Sequence, residues 1–236
     1  MDVKSQLQAL TRHKNVGVSS DGQVGDLRMS RLGQLFTADW KTSLVLGGYA
    51  FNVTVGDLAN AGGDVALVTG GGNGTVVDSD QPELIVGVTA GYVMIPLFFQ
   101  CALSADLDAD AEVANIALFA DTTQAPPTSV TGVTETPISL VGTGVHTSVA
   151  RAYSAVTADI TDPVCSIMLG FKNIRAADAG SAASEQVYGI DYTYDPSVPV
   201  ILRGPCSVVA CVGGTAAVTT AMTFHWAELP EGYFYP

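Results

Sequence analysis

The residues best suited to chemistry form the segment DLDADAE, in which carboxylates alternate with apolar residues. Alternate side chains of an extended chain point to the same face, so Asp106, Asp108, Asp110 and Glu112 would repel one another there. A hard cation offsets such repulsion, and calcium prefers oxygen ligands, so we name Asp106, Asp108 and Asp110 as candidate calcium ligands. Alanines replace the glycine and the glutamate that an EF-hand loop requires. The alternative is a solvated acidic loop or edge strand, whose charge blocks unwanted pairing.

No other set of residues in the sequence converges on a reaction. The chain contains neither G-x-S-x-G nor H-E-x-x-H, and its three histidines are scattered. The glycine-rich TGGGNGT (69–75) lacks the Lys-Ser/Thr of a phosphate-binding loop. Glu228 and Glu231 offer an acid and a base, but nothing else supports a glycosidase. We therefore predict that the protein is not an enzyme.

The stretch ELIVGVTAGYVMIPLFFQCAL (83–103) decides between a membrane span and a packed β core. It carries no charge after Glu83, and its length matches the roughly 20 apolar residues of a membrane helix. However, GVTAG is a turn signal, and Pro96 and the β-branched residues oppose a helix. We therefore predict no transmembrane span. We expect two neighbouring buried strands, Glu83–Val88 and Tyr92–Leu103, with Pro96 at a sheet edge or a β-bulge.

Short apolar segments separated by glycine- and proline-rich turns follow one another from Trp40 onward. This pattern is typical of an antiparallel sandwich or barrel, and the long loops favour a jelly roll. We predict an all-β fold, an antiparallel β-sandwich of jelly-roll type, in which residues 1–39 form an extended N-terminal arm and residues 40–236 form the sandwich with its C-terminal tail. Two smaller sandwiches are the alternative. The other predicted strands are Ser43–Val55, Val65–Val68, Glu112–Phe119, Ile138–Val141, Val145–Val156, Val164–Phe171, Gln186–Tyr194, Val200–Leu202, Cys206–Val212 and Thr219–Trp226.

The charge of the chain is unevenly placed. Residues 1–41 hold six basic and four acidic residues, whereas the rest holds four basic and nineteen acidic residues, a net charge of −15. An acidic body repels phosphate, so we expect no strong nucleic-acid binding by it. The four cysteines lack zinc-ligand spacing and, with no secretory signal at the N-terminus, are expected to be buried free thiols in a reducing compartment.

Apolar residues flank the predicted sandwich on both sides. MSRLGQLFTADWKTSLVL (29–46) leads into it, and LPEGYFYP (229–236) closes the chain. Tails this apolar usually dock on their own body or on a neighbouring subunit. The residues that we place in subunit contacts are Leu35, Phe36, Trp40, Phe234 and Tyr235.

Two segments resemble the early and the last strand pair of jelly-roll structural proteins of icosahedral viruses, bacteriophages in particular. They are PELIVGVTAGYVMIPLFFQCAL (82–103) and PVILRGPCSVVACVGGTAAVTTAMTFHWAELP (199–230), and the resemblance extends in pattern over residues 80–228. It implies a protein that self-assembles into a capsid shell or decorates one, as a homotrimer or another capsomer alongside other virion proteins. It further implies synthesis in the host cytoplasm and a location in the virion. The weakly basic arm departs from many capsid proteins, which puts genome binding by the arm in doubt.

A second function class fits the same architecture. Jelly rolls also serve as lectins, so the alternative is a carbohydrate- or receptor-binding β-sandwich that uses calcium at Asp106–Asp110. Sugar sites favour exposed aromatic residues, and the chain has two tryptophans, which weighs against this alternative.

Overall fold

The fold consists of strands in two antiparallel sheets. The computed structural model describes residues 39–56, 77–107, 113–142, 146–175, 185–214 and 217–233. The chain divides into two compact units after Ser43, and both sheets belong to the second unit, Leu44–Pro236. The predicted all-β class is therefore confirmed, while the arm predicted at 1–39 lies almost wholly outside the described residues.

The described residues form one α-helix, one 3-10 helix and twelve strands. The helix is α1 (Trp40–Leu46), and Glu231–Tyr233 form the 3-10 turn. The strands are β1 (Ala50–Val55), β2 (Leu84–Val88), β3 (Tyr92–Leu107), β4 (Val113–Asp121), β5 (Val133–Glu135), β6 (Ile138–Ser139), β7 (Arg151–Ser154), β8 (Ile167–Arg175), β9 (Glu185–Tyr194), β10 (Leu202–Arg203), β11 (Cys206–Gly214) and β12 (Ala217–Pro230).

Each sheet has six strands. Sheet I has the order β10–β3–β12–β1–β6, and β9 pairs with the same edge of β3 as β10. Sheet II has the order β5–β7–β2–β11–β4–β8. The chain changes sheet at each step from β1 to β4, and it changes again at the steps β5–β6, β6–β7, β8–β9, β10–β11 and β11–β12. Neighbours in each sheet are therefore mostly distant in sequence.

The main core lies between the two sheets, and strand alternation builds it. In β12, Met222, Phe224 and Trp226 are buried in this core, and they face Val208, Ala210 and others from sheet II. The predicted separation of Phe224 and Trp226 from His225 is confirmed, because His225 contacts Phe98 on the opposite face. Full burial of a large apolar side chain stabilises the fold by about 1.5–3 kcal/mol.

Pro96 lies in the middle of sheet I at a β-bulge. The register between β3 and β12 shifts there, so that Phe98 pairs with His225 and Pro96 with Trp226, leaving Leu97 without a counterpart. On the other edge of β3, β10 ends its pairing at Met94 and β9 begins at Phe99. A residue without a backbone N–H is tolerated in such a gap, and the sequence-based expectation of a bulge is confirmed.

A second, smaller core covers the outer face of sheet II. Residues 122–166, which we call the insertion, connect β4 to β8 and contain β5, β6 and β7. Tyr153 and Val156 of the insertion pack with Phe119, Val209 and Ile85 on that face. Sheet II is therefore apolar on both faces, which explains why its strands read as continuous apolar runs.

The predicted strand Ser43–Val55 is wrong over its first four residues, which belong to α1. Asp39 caps this helix, since its carboxylate accepts hydrogen bonds from the backbone N–H and the hydroxyl of Thr42. Gly48, at a φ of 78°, ends it: Gly48 N–H donates to Val45 and Tyr49 N–H donates to Leu44. The capping residues were present in the sequence, but the β-branched run hid them. The predicted strand at residues 65–68 lies outside the described residues.

Candidate self-association surfaces

The predicted calcium ligands fall at the end of β3. The backbone of Asp106 pairs with Ala217 of β12 and with Gln186 of β9. Its side chain, and Asp108 and Asp110 entirely, lie outside the described part of the chain. Within the part that is described, no three His, Cys, Asp or Glu residues form a group that would hold a metal ion. Calcium binding at Asp106, Asp108 and Asp110 therefore stays a prediction.

The predicted subunit contacts fall mostly outside the described chain as well. Leu35, Phe36, Phe234 and Tyr235 are among the residues that the structure leaves undescribed. Trp40 begins α1 and is partly exposed, with the Lys41 ammonium 5.4 Å from its ring centroid. A cation over an indole ring stabilises by about 0.5–1 kcal/mol at an exposed site. The role of Trp40 in assembly stays a prediction.

The two carboxylates that the sequence offered as an acid–base pair each have partners of their own. Glu228 is buried and accepts hydrogen bonds from Trp226 Nε1 (2.7 Å), Ser148 Oγ (2.5 Å) and the Val149 N–H (2.7 Å). Glu231 forms an ion pair with Arg203 near the surface. Glu228 thus fastens residues 148–149 to β12, which is a structural task.

An aromatic cluster lies at the surface near the C-terminal end of the described chain. Tyr49 stacks on His146 with ring centroids 4.4 Å apart, and Tyr233 meets Tyr49 edge to face at 5.7 Å. Tyr233 is 39% exposed. We call Tyr49, His146 and Tyr233 the aromatic cluster; of its members, Tyr233 belongs to the apolar tail that the sequence already marked for docking.

Asp121, which is fully buried, clasps both ends of the insertion. Its Oδ1 accepts hydrogen bonds from the N–H (2.7 Å) and the hydroxyl (2.6 Å) of Thr123, and its Oδ2 accepts one from Val164 N–H (2.8 Å). Burial alone would raise the pKa of Asp121, but these hydrogen bonds favour the charged form and hold the pKa below its usual value. The insertion is therefore fixed to sheet II where it begins and where it ends.

Glu83, directly before β2, is a buried carboxyl whose pKa is raised, whereas that of Asp121 is lowered. Its carboxylate is buried and accepts a hydrogen bond from Val212 N–H at 2.5 Å, while its backbone carbonyl accepts one from Ala155 in the insertion. Desolvation outweighs the hydrogen bonds and raises the pKa of Glu83 to about 8. Near it, the hydrogen bond with Asp78 and partial burial raise the pKa of Asp80 to about 6. This corner of the molecule is therefore sensitive to pH.

A cleft lies between the insertion and sheet II. It is lined by Ile85, Pro127, Ile160 and Pro163 among others, and its volume is about 160 Å³. Pockets for small molecules usually have volumes of roughly 300 Å³ or more. This cleft is therefore small for a ligand, and its lining is mostly apolar.

The two lateral sides of the sandwich differ. On one side, sheet II ends in β5, with three residues, and sheet I ends in β6, with two. On the other side sheet II ends in β8, with nine residues, and sheet I ends in β9, with ten, next to the two-residue β10 along the same edge. We call these the closed side and the open side. Short edge strands are a common protection against pairing with other chains, and the open side lacks this protection.

β8 continues the apolar outer face of sheet II beyond the reach of the insertion. Met168 pairs in register with Phe119, and Phe171 with Ala117, so both lie on the outer face. Phe119 is buried under the insertion, whereas Met168 and Phe171 are 56% and 54% exposed. The apolar row is therefore left uncovered at its last strand.

Met168 and Phe171 do not stand out from the sequence as surface residues. The predicted strand Val164–Phe171 is confirmed in its second half, but the expected burial of Cys165 is wrong, because Cys165 is exposed. The other three cysteines are free and buried as expected, and burial raises the pKa of Cys206 to about 12. A strand that is apolar on both faces reads the same in the centre of a sheet and at its edge.

Comparison with known proteins adds no family. Neither a protein-family model nor a curated protein matches this chain at a significant level. In the described chain, no helix has the length and apolar character needed to cross a membrane, and the stretch 84–103 forms β2 and β3. Function must therefore be inferred from the strand order and from the surfaces.

Proposed function

We propose that the protein is a viral structural protein whose jelly-roll body self-assembles into an icosahedral capsid shell or decorates one. The observation that carries the proposal is the strand order. Eight strands fall into two sets of four, β1–β12–β3–β9 and β2–β11–β4–β8. In each set, strands that are distant in sequence lie side by side.

This order supports a jelly roll. A jelly roll winds an antiparallel hairpin of four strand pairs around a barrel, so that the first strand ends beside the last. Here β1 pairs with β12, and the next pairs inward along the chain are β2 with β11, β3 with β9 and β4 with β8. Viral shell proteins and lectins share this topology, so topology alone leaves both function classes open.

Two further features favour assembly. The open side offers two long strand edges that no other described strand pairs with, and β8 exposes Met168 and Phe171. Exposed apolar rows of this kind mark interaction surfaces in proteins. We extend the proposal to homotrimers or other capsomers, contacts with other virion proteins, a location in the virion, and subunit contacts through Leu35, Phe36, Trp40, Phe234 and Tyr235.

The experiment is light scattering on a size-exclusion column, followed by negative-stain electron microscopy of each peak. Trimers, sheets or shells are expected, and a version that lacks residues 1–39 should keep its β circular dichroism while assembling less. A folded full-length chain that stays monomeric up to high concentration would overturn the proposal.

The aromatic cluster supports a second candidate, a carbohydrate-binding module. Sugar rings stack on exposed aromatic faces, and Tyr233, Tyr49 and His146 lie together at the surface. A glycan array with and without calcium tests this candidate, with Tyr233→Ala as the variant and Val198→Ala, at an exposed site elsewhere, as the control. Binding that Tyr233→Ala abolishes would favour the module, and an array without signal would reject it.

A further inference from the structure

The two long edges of the open side lie next to each other. β8 ends sheet II and β9 ends sheet I, and a Cβ on Gly170 of β8 would overlap the hydroxyl of Tyr192 on β9. The two strands therefore face each other across the core at one side of the sandwich. Their directions are opposite, because β8 ends at Arg175 and the chain returns into β9 at Glu185, near the paired ends of β4 and β3.

The sequences of these two edges differ in charge. β8 (IMLGFKNIR) contains two basic residues, Lys172 and Arg175, and no acidic residue. β9 (EQVYGIDYTY) contains two acidic residues, Glu185 and Asp191, and no basic residue. The contrast is unusual in this chain, since residues 42–236 hold only four basic residues in all. Complementary charges on two edges favour pairing of one with the other and oppose pairing of either with itself.

We infer that the open side pairs with the open side of a second copy of this chain, β8 of each copy adding to β9 of the other. A two-fold axis parallel to the strands brings β8 beside the second copy's β9 and, at the same time, β9 beside the second copy's β8. Rotation about that axis keeps strand directions, so both new pairs are antiparallel. Each sheet I then continues into a sheet II, and the contact is self-complementary, as two-fold interfaces must be.

This geometry brings two oppositely charged strand ends level with each other. The rotation leaves positions along the strands unchanged, so the end of β8 at Arg175 comes level with the start of the second copy's β9 at Glu185. The outer apolar row of sheet II, which stops at Met168 and Phe171, then continues onto a neighbouring strand. The pairing thus satisfies the backbone groups of both edges and places a neighbouring strand beside Met168 and Phe171.

The inference rests on the self-association that the proposed function requires, although the product need not be a virion. Residues 1–38 of the same chain are the other candidate for covering the open side. If residues 1–38 of the same chain cover the open side, the two edges are not available to a second copy, and the dimer does not form.

Sedimentation velocity over a concentration series of the full chain tests the inference. The variants are Lys172→Glu/Arg175→Glu in β8, Glu185→Lys/Asp191→Lys in β9, and all four changes together. Each pair of reversals places like charges across the interface and should weaken dimerisation by about tenfold or more. The fourfold variant restores complementarity and should regain affinity to within about threefold of the wild type, a rescue that a merely structural role would not give. Thermal unfolding of each variant verifies the fold.

The outcomes separate this inference from the proposed function. Weakening by each pair and rescue by the combination support the β8–β9 pairing. Assemblies that form equally well in all variants overturn the pairing and leave the proposed function standing. A wild-type chain that stays monomeric overturns both. A chain that dimerises only after residues 1–38 are removed overturns the pairing for the full protein and identifies the arm as the occupant.

Discussion

The closed side and the open side of the sandwich both end in sheet edges with unpaired backbone groups, but their end strands differ in length. On the closed side the insertion ends both sheets in strands of two or three residues, and buried polar groups hold it in place. On the open side two strands of nine and ten residues end the sheets, and apolar side chains are exposed on both sides, Met168 and Phe171 here and Ile138 on the closed side. A sheet edge can end in a short strand, which protects it from pairing with another chain, or in a long strand that is available for pairing. This protein has short end strands on the closed side only.

The buried carboxylates of the described residues lie at or near the insertion. Asp121 clasps the ends of the insertion, Glu228 fastens residues 148–149, and Glu83 lies where the insertion meets β2 and β11. All three carboxylates hold the insertion or its surroundings, and in the described residues Glu83, Asp121 and Glu228 are the buried acidic residues. Changes at the polar groups that hold the insertion should therefore have large effects on stability, whereas changes on the open side should spare the fold.

The largest expected effect is the loss of the clasp. Asp121→Ala removes the buried acceptor of two backbone N–H groups and of the Thr123 hydroxyl, which should lower the free energy of unfolding by about 3 kcal/mol. Urea unfolding measures the change. Asp121→Asn keeps one acceptor oxygen and should lose roughly half as much. Exposed Asp162→Ala, in the same segment, is the control and should change stability by less than about 0.5 kcal/mol. Equal effects of Asp121→Ala and Asp162→Ala would contradict the clasp.

Glu83 should make the fold less stable as the pH rises. Its pKa is raised from 4.5 to about 8 by burial, so the folded state holds a proton that the unfolded state has released between these values. Stability from this group is therefore present at low pH and is lost as the pH rises toward 8, by about 3 kcal/mol between pH 5 and pH 8. Glu83→Gln keeps a hydrogen-bond acceptor but no titration. The difference in unfolding free energy between wild type and Glu83→Gln should change steadily from pH 5 to pH 8; a constant difference would show that the carboxyl is not desolvated.

Gly170 lies on the open side, where β8 and β9 approach each other closely, and substitutions at this position test that approach. Gly170→Ala would push a methyl group into the Tyr192 side chain and should cost about 2 kcal/mol. Combining it with Tyr192→Leu should cost less than the sum of the two single changes. Gly232→Ala, with open space around its Cβ position, should be neutral. Strict additivity of the two changes would mean that β8 and β9 do not face each other.

The smallest effect on stability, and the most specific effect on association, is expected for the exposed apolar residues. Phe171→Ser on the open side and Ile138→Ser on the closed side replace side chains that are 54% and 61% exposed. Each should change stability by less than about 0.5 kcal/mol. Phe171→Ser alone should reduce dimerisation in sedimentation experiments. A larger effect from Ile138→Ser would place the interface on the wrong side.

The long central strands are well predicted from the sequence because alternation and turns are local, whereas the predicted strand Val145–Val156 is confirmed only at Arg151–Ser154 and β5 was not predicted. Phe224 and Trp226 on one face, His225 on the other and a bulge at Pro96 all follow from a period of two and from the missing N–H of proline. Two kinds of feature escaped prediction. Helix α1 depends on caps at Asp39 and Gly48 that compete with a β-branched sequence. The exposure of Met168 and Phe171 depends on which strand ends the sheet, and that is decided by pairing between distant segments.

The candidate surface was harder to predict than the fold. The residues chosen from the sequence, Leu35, Phe36, Phe234 and Tyr235, lie outside the described chain, and Trp40 lies in α1. The opposite charges of β8 and β9 are visible in the sequence, but they acquire meaning only when the topology makes both strands into edges of one side.

The central claim, that this chain assembles with copies of itself, is tested most directly by light scattering on a size-exclusion column with electron microscopy of the same fractions. We predict concentration-dependent association that reaches trimers, sheets or shells and that uses the two-fold β8–β9 contact, so the β8 and β9 charge reversals should each shift the profile toward monomer. A folded chain that elutes as a monomer at every concentration, and shows no particles in the microscope, would contradict self-assembly.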